Sequence, residues 1–160
     1  MMTQRIVKKV VLIAASVDCR THIKVRVAAD DPKFRVVGCS YVDDETDVIV
    51  DWGDGTVESI FELTTTTHTY AAPGEYEITI SDVLTEITLS GVSGLRREFG
   101  LKVIGFSSTA PHLTRLGTAA FACCENLEGV VELPRITELG KGLQATQMPF
   151  YNCPNVGEIH

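Results

Sequence analysis

VIVDWGDGTVESIFELTTTTHTYAAPGEYEITI, residues 48–80, is the stretch on which the reading of this chain turns. Val48, Val50 and Trp52 alternate with Ile49 and Asp51, the two-residue period that sends successive side chains to opposite faces of a strand. Gly53-Asp54-Gly55 follows at once, and Asp-Gly supplies two residues that tolerate positive φ, as a tight hairpin turn requires. Residues 57–63 then return as the partner strand. Pro73-Gly74 is a second turn signal, with Pro presetting φ and Gly taking the left-handed position. Beyond it Tyr76, Ile78 and Ile80 alternate with Glu75, Glu77 and Thr79, which predicts a strand with one buried and one wet face.

At these residues the chain resembles a PKD-type immunoglobulin-like domain. That family carries WGDG, a loop, HTY, a Pro-Gly turn and a strand of the YEITI kind. The matching residues are Trp52, Gly53, Asp54 and Gly55, then His68, Thr69 and Tyr70, then Pro73 and Gly74, then 76–80. The resemblance covers roughly residues 21–82. It implies a β-sandwich with Trp52 packed between two sheets, and it implies that Asp54 and segment 68–70 brace the turn with hydrogen bonds. Asp54 and His68 can also be read as an acid–base pair. The bracing reading is preferred, because analogy of fold supplies no reacting group.

Working outward, His22, Lys24 and Arg26 interleave with Ile23, Val25 and Val27, a half-buried strand stopped by Asp30-Asp31-Pro32. Residues 34–37 read as a short return strand. The polar run YVDDETD, 41–47, holds Asp43, Asp44, Glu45 and Asp47. Its spacing is wrong for an EF-hand loop, so it reads as a solvated acidic loop and no metal site is assigned. A weaker alternative, in which this loop with Asp51 and Asp54 binds calcium, stays open. Residues 84–89 suggest one more strand before Ser90-Gly91-Val92-Ser93-Gly94 marks a boundary or a tight crossing.

The last third repeats itself. Thr114-Arg115-Leu116-Gly117 recurs as Thr137-Glu138-Leu139-Gly140. Phe121, Cys124, Leu127 and Val130 stand at steps of three, and Phe150, Cys153, Val156 and Ile159 repeat that ladder. Asn126 and Asn155 each precede the third rung. Six extra residues at 142–147 read as an exposed bulge. Here the chain resembles BspA-like leucine-rich repeats, whose signature reads Thr-x-Ile-Gly, Ala-Phe, then Cys and Leu rungs; Pro149-Phe150 departs from it, and 102–106 is a degenerate earlier turn. The resemblance implies that rungs stack coil upon coil and that stability comes from the stacking. Cys124 and Cys153 are then packing rungs rather than nucleophiles.

Fold expectation is therefore mainly β: an N-terminal strand or docking arm over 1–20, a PKD-like immunoglobulin-like β-sandwich over 21–90, and a short leucine-rich-repeat solenoid over 91–160. The 160 residues carry a net charge of −7. It is uneven: residues 1–20 are net +3, 21–90 net −10, and 91–160 neutral. The acidic middle repels phosphate backbones, which argues against nucleic acid. Five cysteines without a C-x-x-C give no zinc or thioredoxin-like pattern, and a Cys19–Cys39 bridge stays open. Arg5, Lys8 and Lys9 precede an apolar run too short to span a membrane, so residues 6–17 read as a strand or docking arm rather than a signal peptide.

No cofactor and no catalytic set is assigned. The four histidines, His22, His68, His112 and His160, fall in separate segments, and no Gly-x-Ser-x-Gly or His-Glu-x-x-His pattern occurs. Proteins that join a PKD-like domain to BspA-like repeats are surface-exposed binding or adhesion proteins or parts of phage particles. The resemblance thus implies a non-enzymatic structural or recognition protein, either a virion component (head decoration or tail protein) or a bacterial cell-surface adhesion module. The alternative is a carbohydrate-binding accessory domain of a secreted enzyme, which wants exposed aromatics. The final rung lies beside His160 with no polar closing repeat, so the expected partner is a protein or another copy of this chain covering that end, with no nucleic acid and no membrane insertion.

Overall fold

The computed structural model describes residues 19–140 and 148–160. The N-terminal arm over 6–17 and the expected bulge at 142–147 therefore lie outside the described residues. What is described is mainly β, built from several sheets. No helix among the described residues is long and apolar enough to cross a membrane.

The first strands follow their alternation. Strand β1 (Thr21–Val27) buries Thr21, Ile23, Val25 and Val27 and turns His22, Lys24 and Arg26 outward. Then come β2 (Lys33–Phe34), β3 (Gly38–Tyr41), β4 (Val48–Asp51) and β5 (Val57–Ile60). The remaining strands of this half are β6 (His68–Thr69), β7 (Gly74–Ile80) and β8 (Leu84–Thr88). The expected return strand over 34–37 is shorter and goes elsewhere: β2 pairs with β6, Phe34 opposite His68, and not with β1.

Residues 94–102 form a helix, α1 (Gly94–Lys102), where the sequence reads only as a glycine-rich boundary. Its pattern is weakly amphipathic: Phe99, Gly100 and Lys102 are buried and the first five residues are exposed. What holds it is tertiary. Lys102 lies 2.6 Å from an Asp31 carboxylate oxygen and donates to the Asp31 carbonyl at 3.1 Å, so a nearly buried ammonium finds oxygen partners. Phe99 meets Phe34 edge to face at 6.1 Å.

After the helix come β9 (Val103–Ser108), β10 (Arg115–Leu116), β11 (Gly129–Val131), β12 (Glu138–Leu139) and β13 (Val156–Ile159). One sheet runs β5-β4-β7-β1-β9 and is antiparallel throughout. A second runs β12-β10-β8-β3: β3 meets β8 antiparallel, whereas β8, β10 and β12 are parallel. Parallel β11 and β13 form a further pair, and a parallel bridge from Ser107 to Glu132 joins them to β9. Strand β9, read from sequence as a degenerate repeat turn, thus has two roles, antiparallel edge of the first sheet and neighbour of β11. The chain from 84 onward alternates between two stacks, β8-β10-β12 and β9-β11-β13. One hydrophobic core, from Ile23 and Trp52 to Phe121 and Leu133, fills the interior of both halves.

Candidate functional site

The Trp52 turn is a closed set of contacts. Trp52 is fully buried, its amide donates to the Thr56 carbonyl at 3.0 Å, and its indole Nε1 donates to Glu58 Oε2 at 2.6 Å. Asp51 and Asp54 each accept a backbone amide two residues on, from Gly53 at 2.9 Å and from Thr56 at 3.0 Å, the Asx-turn geometry that stabilises tight turns. His68 donates from Nε2 to Asp54 Oδ2 at 2.8 Å while its ring stacks on the indole. Tyr70 donates to the Trp52 carbonyl at 3.1 Å and stacks on Tyr76 with centroids 4.1 Å apart. Pro73 is exposed, and Gly74 opens β7 beside the Tyr76 ring without the left-handed φ that the Pro-Gly signal predicts, because it is already part of the strand.

Gly53 has φ +81°, and a Cβ there would sit 2.5 Å from the Glu77 carbonyl oxygen. Gly55 also has positive φ, with open space around it, whereas Asp54 does not, so the positive-φ residues of the turn are Gly53 and Gly55 rather than Asp54-Gly55. Burial alone raises the Asp54 carboxyl. The hydrogen bonds from His68 and Thr56, with the nearby imidazole charge, outweigh that and hold it below the ordinary carboxylate value. Asp54 and His68 are thus brought together, with partners that brace the turn: Glu58, Tyr70 and Tyr76 surround the same rings. Asp51 was legible as an Asx residue ahead of a glycine; nothing local marks Glu58.

The acidic loop is tied to itself. Asp43 accepts the amides of Glu45 and Thr46 and the Thr46 hydroxyl, which lowers its carboxyl below the usual range. No group of three or more metal-ligating side chains that could hold an ion occurs among the described residues.

The repeat residues meet in space. Arg115 pairs with Glu138 and Leu116 with Leu139, the offset of the sequence repeat. Gly117 and Gly140 have a steric reason: a Cβ on Gly117 would come 2.0 Å from Thr88 Oγ1, and one on Gly140 2.3 Å from the Thr118 amide nitrogen. Phe121 and Phe150 stack with centroids 5.0 Å apart and planes 5° from parallel. Cys153 donates from Sγ to the Phe121 carbonyl at 2.9 Å. Cys124 is fully buried, and its apolar surroundings push the thiol well up. Asn126 donates to the Leu101 carbonyl and Asn155 to the Glu125 carbonyl, each at 2.7 Å, so the two asparagines do one job on successive passes of the chain. Leu127 is fully buried, and Val156 packs against the core.

The fourth rung is corrected. Val130 is 49% exposed and Val131 fully buried, and the β11–β13 register shifts between them and Gly129, with Gly157 of β13 as the extra residue. Ile159 accordingly faces Val131 rather than Val130 and is itself half exposed. All five cysteines are free, so the Cys19–Cys39 bridge left open by the sequence is not formed.

Among the described residues, strands β12 and β13 are the outermost members of their stacks. Leu139 is 55% exposed, whereas Leu116, its equivalent one pass earlier, is fully covered. Met148, Tyr151 and Ile159 are exposed in the same pass. Arg115 lies 3.0 Å from Glu86 and 4.0 Å from Glu138, so charge alternates along this stack and ends on an exposed glutamate. Among the described residues each histidine meets a carboxylate: His22 with Glu77, His68 with Asp54, His112 with Asp82 and His160 with Glu158.

The chain matches no family model, no curated protein and no solved structure. The reading of function therefore rests on the residues themselves.

Proposed function

We propose that this chain is a non-enzymatic recognition or structural protein. In this reading a PKD-like, immunoglobulin-like β-sandwich runs on into BspA-like leucine-rich-repeat coils, and the last coil is the binding surface. The observation that carries it is the contrast between Leu116 and Leu139. The same repeat position is fully buried where another pass lies over it and 55% exposed where none of the described residues does. With Leu139 stand the outer edges of β12 and β13, which no described residue pairs, and free strand edges beside exposed apolar side chains are templates for another strand. The partner presents apolar side chains, with a cation opposite Glu138. It is another copy of this chain or a second protein. The setting is a phage virion, as a head decoration or tail protein, or a bacterial cell surface, as an adhesion module.

The burial of Trp52 supports this reading over the carbohydrate-binding alternative, since the only tryptophan offers no sugar platform. The braced His68–Asp54 pair supports it too, because both side chains are already engaged in holding a turn. Sedimentation over a wide concentration range is the test, beside the variant Leu139→Asp. Concentration-dependent association that the variant abolishes is the expected result. A wild-type chain that stays a monodisperse monomer and binds no hydrophobic dye would overturn the proposal.

A further inference from the structure

A pocket of about 250 Å³ lies where the chain leaves β3 and where it leaves β5, which among the described residues are edge strands of the two larger sheets. Tyr41, Asp43, Asp44, Thr46, Phe61 and Glu62 line it, and its exposed wall is mainly apolar. The Tyr41 hydroxyl accepts the Leu63 amide at 3.0 Å, and Leu63 is fully buried, so this ring is fixed from both sides of the junction. Phe61 is 70% exposed, the most exposed large apolar side chain among the described residues. The carboxylates around the two rings differ in their engagements. Asp43 accepts the Glu45 and Thr46 amides and the Thr46 hydroxyl, which shapes the loop. The Glu62 carboxylate accepts the Thr64 hydroxyl at a long 3.4 Å. Burial, then the Cys39 thiol and the Glu62 charge, push the Tyr41 hydroxyl up to about 12, so this ring stays neutral beside that carboxylate. Among the described residues no cation pairs with Asp43, Asp44 or Glu62, so the rim carries uncompensated negative charge.

We propose that this pocket binds a small organic cation bearing a quaternary ammonium group. The rim decides the sign of the charge, and the wall decides its chemistry. A hard metal ion wants several oxygen ligands at once. No group of three or more metal-ligating side chains converges among the described residues. A primary ammonium carries three N–H donors and a tightly held hydration shell, and a mainly apolar wall leaves those donors without acceptors. A quaternary ammonium has no N–H to satisfy. Its methyl groups bury against the apolar wall, while aromatic faces and nearby carboxylates stabilise its charge. Tyr41 and Phe61 supply the rings, and Asp44 and Glu62 the charge. Size agrees: drug-sized ligands occupy about 300–1,000 Å³, so this smaller space suits a headgroup rather than an extended molecule. A phosphate ester of the same headgroup is disfavoured, because its anionic end meets the same carboxylates.

The inference does not depend on the reading of the last coil. It is tested on the full chain by titrating tetramethylammonium chloride and, separately, choline chloride while amide and ring resonances are followed. Sodium chloride at equal ionic strength is the reference. Saturable shifts centred on residues 41–46 and 61–63, with affinity in the millimolar range, are expected. n-Butylammonium and phosphocholine should bind more weakly than choline. Phe61→Ala should weaken tetramethylammonium binding about tenfold, the scale of a well-placed ring–cation contact. Asp44→Asn/Glu62→Gln should weaken it too, by a factor that shrinks as salt is added. Native Trp52 emission checks that each variant is folded. Leu139→Asp should bind as wild type does, which separates this site from the last coil. The absence of saturable shifts at these residues would overturn the proposal. So would sodium shifts equal to those of tetramethylammonium, n-butylammonium binding as tightly as choline, or Phe61→Ala binding as well as wild type.

Discussion

The imidazole of His68 lies flat on the indole of Trp52, ring centroids 4.6 Å apart and planes 7° from parallel. The same imidazole holds Asp54 from its edge and meets Tyr70 edge to face at 4.7 Å. A hairpin turn, a buried tryptophan and the short β6 strand are therefore fastened by one ring. Since β6 pairs with β2, the fastening extends to the short strand that follows β1.

The first consequence is a pH dependence. Asp54 is depressed in the folded protein, so its contribution is present above the ordinary carboxylate value and is lost as pH falls through the folded value. Replacing Asp54 with Asn should lower stability by about 1–2 kcal/mol at neutral pH, the scale of a lost charged hydrogen bond. Wild type and variant should converge as pH falls through the depressed folded value of Asp54, where the carboxyl becomes neutral like the amide. Urea midpoints across this range measure it; a gap that is constant with pH would contradict the assignment.

The two glycines of the turn should behave differently. Gly55→Ala meets only the strain of positive φ, about 1–2 kcal/mol. Gly53→Ala meets that strain and also drives a Cβ into the Glu77 carbonyl, adding about 1–3 kcal/mol of overpacking. Equal losses in denaturant titrations would show that β7 does not press on the turn as described.

Trp52 is the only tryptophan, so its fluorescence reports this one site. The native emission should be blue-shifted relative to the urea-unfolded chain and poorly quenched by acrylamide, since the indole is fully buried. Trp52→Ala should cost about 3–5 kcal/mol. Efficient quenching in the native state would refute the burial.

The contrast in burial along β11 predicts opposite outcomes at neighbouring valines. Val131→Ala should destabilise by about 2 kcal/mol, as removal of buried methyl groups does. Val130→Thr should stay within about 0.5 kcal/mol, as exposed substitutions do. The reverse order would restore the ladder with Val130 as its fourth rung.

Thiol labelling separates the cysteines. Burial raises the Cys124 thiol and removes it from solvent, and reactivity belongs to the accessible thiolate. Cys124 should be alkylated only as the protein unfolds, while Cys19, which is part exposed, is modified in native buffer. Mass spectrometry of partly labelled protein gives the order, and labelling of Cys124 ahead of Cys19 would overturn it.

Much of the candidate site was legible in the residues because its chemistry is local. The Asp-Gly turn, the alternation of Val48, Val50 and Trp52, and the contacts of Asp54 with Thr56 lie within a few positions of one another. The offset between 114–117 and 137–140 was legible for a different reason. Successive passes of the chain meet the same neighbours, so the same residues recur, and Gly117 and Gly140 recur because each faces a backbone or side chain too close for a Cβ. Glu58, the partner of the indole, carried no signal, since only the β4–β5 register puts it there.

By itself, then, the order of residues determined where strands alternate, where the chain turns, and which segments repeat, all properties settled over a few neighbouring residues by dihedral preference and by the period of burial. Only the tertiary structure decided that residues 94–102 wind into a helix, that β9 serves two neighbours, that Val131 rather than Val130 turns inward, and that Tyr41 and Phe61 line one pocket. Those outcomes depend on contacts between residues far apart in the chain, such as Lys102 with Asp31 or Ser107 with Glu132, whose energies no local window contains.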